Sequence, residues 1–316
     1  MAAQSMRINE ESGARCVVCG GEQWIFVREG RDLYRPESAK VFKLMKCQGC
    51  GQIAQCPAPS EDQLGEAYSA EYAPYCPAWK ETGWPMWKIF RTITTWRRIQ
   101  RLKRYARTGN LLEVGAGAGD FLRAAHRAGW EVKAVEYSIN MAEAIHQELG
   151  FDVRSGELRS GLWTEGQFDV VAFWSVLEHL RDPVGSLSIA ASYLKQGGAI
   201  FIQIPTLNGA ELGMWFGEYW ALLEFPRHLN FLDSHALESL CDKAGLDLIL
   251  FKTTLLDMAW CYVTSSLNFA NQYKRPLQRL PRLAALLAIV LLSLPWLAVQ
   301  AWRGRGTEAL AMAIKR

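Results

Sequence analysis

The chain has 316 residues, half of them hydrophobic, which is enough for one α/β domain of about 200 residues with a sizeable core, plus accessory segments. A formal net charge of +3 is too small to mark a nucleic-acid-binding protein by itself. The opening residues are polar and mixed rather than charged and then apolar, which argues against a secretory signal, and a cytoplasmic protein is expected.

Four of the eight cysteines fall near the amino terminus as two pairs, Cys16 with Cys19 and Cys47 with Cys50. Glycine follows each pair, Gly20 and Gly21 after the first and Gly51 after the second, so backbone N–H groups can donate to the sulfurs. Two such knuckles predict a closed tetrahedral zinc site in a zinc ribbon over residues 1–57, with a β-hairpin between the knuckles. Disulfides are the alternative, and a cytoplasmic chain disfavours them. Four protein ligands leave no open position, so this metal is expected to hold structure rather than do chemistry. Cys56, Cys76, Cys241 and Cys261 have no partner at ligand spacing and read as packed thiols.

Residues 58–107 read as an aromatic linker or lid followed by a basic amphipathic helix. Tyr68 and Tyr72 stand out in the first part. Over residues 84–107, Ile89, Ile93 and Trp96 recur at helical spacing and predict the buried stripe. Lys88, Arg91, Arg97, Arg98, Arg101, Lys103, Arg104 and Arg107 accompany them with no acidic residue between. That face is either simply solvated or a surface for anionic lipid or RNA.

An apolar strand through Leu111, Leu112, Glu113 and Val114 then runs into Gly115-Ala116-Gly117-Ala118-Gly119 and a helix from Asp120. Glycines there let the backbone turn tightly and approach a ligand, and the helix start supplies free N–H groups. A second short strand ends in Glu136, well placed to grip ribose hydroxyls. An NAD-binding turn also carries a carboxylate at this distance, and a turn with no cofactor is the plain alternative. However, the spacing is GxGxG rather than GxGxxG, and Glu113 would repel a diphosphate while suiting a cationic, amine-bearing cofactor.

On these residues the sequence resembles the class I S-adenosylmethionine-dependent methyltransferases. The strand 167–174 with the following Val176-Leu177-Glu178-His179 box is similar to the small-molecule enzymes of the ubiquinone and menaquinone biosynthesis type. Gly197-Gly198 leading into strand 199–205, the Pro226-Arg227-His228 segment and the strand 247–251 extend the resemblance over roughly residues 105–316. It implies a Rossmann-like seven-stranded sheet over 108–316, with S-adenosylmethionine held by Glu113, Gly115, Gly117, Gly119, Glu136, Tyr137 and Trp174.

Residues 283–302 carry no charge, which is long enough to nominate a membrane span, with Arg275, Arg279 and Arg282 before and Arg303 and Arg305 after. The chain then continues into residues 307–315, which resemble the last strand of the methyltransferase sheet. A full span would strand that element across the bilayer, and Pro295 interrupts the run. The expectation is therefore an apolar helical insertion over 255–304 that lies in the inner membrane face as a hairpin or interfacial pair, or else forms a lid or dimer surface.

Methyl transfer from a sulfonium needs positioning and deprotonation of the acceptor. His228 and His179 are the candidate bases, because imidazole titrates near neutral pH. Glu178 with His179 could hold a divalent ion, although Ser175 departs from the more acidic pattern of relatives thought to do so. The expected activity is methyl transfer to a hydroxyl or carbon of a small or lipid-linked metabolite, with structural zinc and peripheral membrane contact, and without a nucleic-acid partner. A zinc-ribbon RNA base methyltransferase and a non-catalytic scaffold of the same fold are the alternatives.

Overall fold

The computed structural model describes residues 14–35, 38–68, 85–106, 108–207, 213–253, 265, 281, 284, 288, 291–292, 294–300 and 302–316. Tyr72, Cys76, Cys261, Trp84, Arg107, and the arginines at 275, 279 and 282 lie outside the described residues.

Seven strands form the main sheet: β4 (Asn110–Val114), β5 (Glu131–Glu136), β6 (Asp152–Ser155), β7 (Phe168–Trp174), β8 (Leu194–Pro205), β10 (Leu246–Thr253) and β11 (Glu308–Lys315). Their order is β10-β11-β8-β7-β4-β5-β6. Neighbours from β8 to β6 run parallel, and β11 is antiparallel to both β8 and β10. The central strands are covered on both faces, so they read as continuous apolar runs; in β7 every residue but Asp169 is buried. Strand order reverses between β4 and β7, and a ligand crevice is expected outside the carboxyl ends of those strands.

Helices begin where the sequence supplies caps. Ser138 caps α4 (Ile139–Leu149), and Asp182 followed by Pro183 caps α5 (Pro183–Tyr193). Asp233 caps α6 (Ser234–Lys243), and Ser60 with Gln63 forms a capping box on α1 (Glu61–Ala67). The helix after the glycine loop, α3 (Asp120–Arg127), has Gly119 as its N-cap in the left-handed region.

The basic helix α2 spans Pro85–Tyr105. Its buried stripe differs from the expected one. Ile93 and Trp96 are 38% and 60% exposed, whereas Thr94, Ile99 and Leu102 are buried. Leu102 and Ile99 pack with Phe121, Leu122 and Trp130, and this contact sets the helix rotation; the larger Trp96 turns outward. The basic face is not uniformly solvated either, since Arg91 pairs with Asp120 and Arg98 donates to Gln203 Oε1 at 3.0 Å.

The amino-terminal region forms a second sheet of β1 (Trp24–Gly30), β2 (Phe42–Cys47), β3 (Ile53–Gln55) and β9 (Asn230–Phe231), in that order. Its fourth strand therefore comes from the carboxyl-terminal half of the chain, pairing Ile53 with Phe231 and Ala54 with Asn230. Apolar packing is continuous as well: Cys16, Val18, Trp24, Met45 and Ala54 belong to the same buried cluster as Leu112, Phe173 and Leu237. The amino-terminal sheet is thus built onto the larger one. Lys243 at the end of α6 adds a bond to Val18 O.

Between β10 and β11 the described residues include a helical stretch at 294–300. Leu297 is fully buried and packs with Phe42, Leu44, Trp220, Leu223 and Phe225, while Leu292 and Trp302 are 82% and 86% exposed. No helix among the described residues is long and apolar enough to cross a membrane. The last strand returns to this sheet, where it lies between β8 and β10.

Candidate active site

The glycine loop leaves β4 at the expected switch point. Gly115, Gly117 and Gly119 all have positive φ, at 75°, 53° and 73°. A Cβ on Gly115 would lie 2.5 Å from Val176 Cγ2, whereas one on Gly117 would meet nothing within 4 Å, so Gly117 turns its bare face to open space. Glu136 closes the loop from β5: its Oε2 accepts from Gly117 N at 2.8 Å and its Oε1 from Ser138 N at 3.0 Å.

These residues line one end of a cavity of about 1230 Å³ that runs on past Trp174 and Tyr68 to His179 and His228. Glu113, buried at the β4 end, lines it with Oε2 unpartnered among the described residues. Desolvation raises its carboxyl well above the usual range, with the Arg98 guanidinium opposing and the Glu136 charge adding to the shift. Trp174 meets Phe121 edge-on at 5.1 Å and carries the Arg98 guanidinium 4.9 Å above its ring. Tyr137 is exposed at the rim, 6.3 Å from the Tyr68 ring.

At the other end the structure brings Glu178, His179 and His228 together, with ligand atoms within 4.8 Å of one another. The imidazole rings are 4.8 Å apart. His228 Nδ1 donates to Leu222 O at 2.7 Å and His179 Nδ1 to Arg227 O at 3.0 Å, which places a proton on each Nδ1. Burial pushes both imidazoles down to about 4, aided at His179 by the neighbouring His228, so neither titrates near neutral pH as the sequence alone suggests. Glu178 is fully buried with both oxygens unpartnered among the described residues, and burial raises its carboxyl strongly. Backbone strain sits at the same place: Ser175, at the carboxyl end of β7, has φ of 59°.

Several residues here escaped the sequence reading. Glu224 Oε2 lies 3.3 Å from His228 Nε2. Arg98 bridges Gln203 and the Trp174 ring, and Gln203 in turn bonds Glu308. A glutamine inside the apolar run of β8 was the available signal for this group. Tyr68, read as lid or linker, places its Oη 3.1 Å from His179 Nδ1.

The four knuckle cysteines lie together apart from this cavity, all sulfurs within 4.8 Å of one another, with Cys16 to Cys50 at 3.6 Å and Cys19 to Cys47 at 3.5 Å. A tetrahedron with Zn–S bonds of about 2.3 Å has S–S edges near 3.8 Å. The pocket is tight as well, since a Cβ on Gly21 or Gly49 would come within 3.3 or 3.2 Å of Cys19 Sγ. The donor set and size fit a zinc ion.

A doubly wound sheet with its last strand antiparallel, a glycine loop with two carboxylates and a cavity leading to paired histidines define a class I S-adenosylmethionine-dependent methyltransferase. Residues 88–250 match a family model described as a methyltransferase domain, which covers more than half of the chain, and the chain belongs to that methyltransferase family. Among curated relatives, it is 27% identical over 175 residues to a ubiquinone biosynthesis O-methyltransferase of Cereibacter sphaeroides, covering 52% of this chain and 70% of the relative. It is 30% identical over 151 residues to the protein of that name from Azoarcus sp., covering 44% and 64%. The solved structure of a candidate sarcosine dimethylglycine methyltransferase from Galdieria sulphuraria superposes with a TM-score of 0.50 at 15% identity over 71% of this chain and 86% of the other, a likeness of fold alone.

Proposed function

We propose that the enzyme transfers the S-adenosylmethionine methyl group to a hydroxyl or carbon of a small or lipid-linked metabolite. The observation that carries this reading is the single cavity joining the glycine loop to His179 and His228. Glu113 receives the cationic methionine end and Glu136 the ribose, with Gly115, Gly117 and Gly119 giving backbone access and Tyr137 and Trp174 flanking the cofactor. His228, with His179 second, takes the acceptor proton through its Nε2 lone pair as the methyl group leaves sulfur. Relatives named for ubiquinone biosynthesis support a small, lipid-linked acceptor. Incubating the protein with methyl-labelled S-adenosylmethionine and separate lipid and RNA extracts tests this. Label in the lipid or small-molecule fraction is expected, and label in RNA alone would overturn it.

Cys16, Cys19, Cys47 and Cys50 hold one structural zinc ion in this reading, supported by the sulfur spacing. Membrane contact is placed on the exposed apolar positions Leu291, Leu292, Trp296, Val299 and Trp302, beside Arg303 and Arg305. Binding to anionic vesicles is expected to weaken with salt and to be lost when residues 283–302 are replaced by a short linker; undiminished binding by that variant would remove the assignment.

A further inference from the structure

His228 sits two residues ahead of β9, in a segment bonded along both edges. Toward the box after β7, Leu229 N donates to Glu178 O at 2.8 Å and Asn230 Nδ2 to Leu180 O at 2.9 Å. Toward the amino-terminal sheet, Gln55 N donates to Leu229 O at 2.8 Å, Gln55 Nε2 to His228 O at 2.7 Å and Gln52 Nε2 to Asn230 Oδ1 at 3.1 Å. Gln55 is buried, and its Oε1 has no partner among the described residues. Its amide thus stays in the interior for the one bond it makes to the histidine carbonyl. Asp32 acts on the neighbouring residue, forming a buried two-pronged pair with the Arg227 guanidinium, and the Arg227 carbonyl is the acceptor of His179 Nδ1–H.

We propose that Gln55 and Asp32 are positioning residues for the acceptor-side histidines, so that the cysteine-knuckle module is part of the transfer site rather than an appended domain. Gln55 fixes the peptide that carries His228. Asp32 fixes Arg227 and, through its carbonyl, the orientation and tautomer of His179. Neither side chain touches the reacting atoms; each acts through a residue that the proposed transfer places beside the acceptor. The inference rests on the reading of this cavity as the transfer site. A module that served only to stabilise the fold would need apolar contact with the large sheet, and that contact already exists through Val18, Trp24 and Met45. The buried polar bonds converge instead on residues 227–230, the segment that carries His228 and the carbonyl bonded to His179.

Carbon-13 labelling of histidine Cε1 in the full-length protein tests this without knowledge of the acceptor. The chain has five histidines, so His126, His146 and His235 serve as internal references. In Gln55→Met, which keeps the volume and removes the donor, the His228 resonance moves. In Asp32→Asn, the His179 resonance moves. The three references stay in place and S-adenosylmethionine affinity, measured by calorimetry, is unchanged. Wild-type positions for both site histidines in folded Gln55→Met and Asp32→Asn, or reference shifts as large as theirs, would overturn the proposal. Should Asp32→Asn fail to fold, Gln55→Met alone decides it. Failure of the wild-type protein to bind S-adenosylmethionine would instead count against the methyltransferase reading and leave the histidine result standing as its own finding.

Discussion

Asp32 and Arg227 meet inside the protein as a two-pronged ion pair, Nη1 to Oδ1 at 3.0 Å and Nη2 to Oδ2 at 3.2 Å, although 195 residues separate them. Both are almost fully buried, and the guanidinium also donates to Ala67 O and lies over the Tyr34 ring. The pair ties the loop after β1, the end of α1 and the His228 segment into one piece. Removing one partner leaves the other charge uncompensated, so Asp32→Ala is expected to destabilise the protein by about 3–5 kcal/mol. Urea unfolding measures this directly, and a loss below about 1 kcal/mol, the range of an exposed pair, would show that the pair is solvated.

The paired histidines set a pH dependence. Their folded values near 4 lie below the ordinary value of about 6.5, so the unfolded chain binds more protons between the two. Their contribution to stability is whole above about pH 6.5 and is lost as pH falls through about 4. Glu113 and Glu178 act in the opposite sense: with raised carboxyls, their contribution is whole below their unfolded values and declines as pH rises through the folded ones. For turnover, the imidazoles remain unprotonated well into acid, so the acid limb of kcat/KM is expected near pH 4 rather than 6.5. His228→Ala is expected to lower turnover about 10²–10⁴-fold with cofactor binding unchanged, the defect shrinking at high pH for a hydroxyl acceptor. Full turnover in both His228→Ala and His179→Ala would assign deprotonation to the acceptor or to water.

Metal removal is expected to reach the transfer site. The knuckles share a core and a sheet with the larger half, so stripping zinc or replacing Cys47 with serine should loosen β9 and its attached His228 segment as well as β1 to β3. Elemental analysis of reductively purified protein should give one zinc per chain, and hydrogen exchange after chelation should rise at residues 228–231 along with the knuckles. Absence of stoichiometric zinc would contradict the assignment, and unchanged protection at 228–231 after chelation would show that the knuckles are uncoupled from the His228 segment.

The glycine loop was legible because its chemistry is local: left-handed backbone at Gly115, Gly117 and Gly119 demands glycine in the sequence itself. The seven-stranded sheet and the return of the last strand followed from the resemblance and from apolar runs such as β7. The two-residue strand β9 was not legible, since Asn230 and Phe231 gain their pairing only from Ile53 and Ala54 far away in the chain. The rotation of α2 was not legible, because Ile93 and Trp96 satisfy helical spacing while Ile99 and Leu102 win the packing against Phe121 and Leu122. Arg98 was hidden among seven basic neighbours, and its contacts with Gln203 and Trp174 single it out.

Cofactor binding tests the central claim most directly. Titration calorimetry should show S-adenosylmethionine binding to the wild-type protein, and Glu136→Ala should weaken it by about 1.5–3 kcal/mol, the range for hydrogen bonds to a charged group. Glu136 also anchors Gly117 N and Ser138 N, so that loss includes loosening of the loop. Tight NAD binding with no response to S-adenosylmethionine, or equal affinity in wild type and Glu136→Ala, would contradict the account.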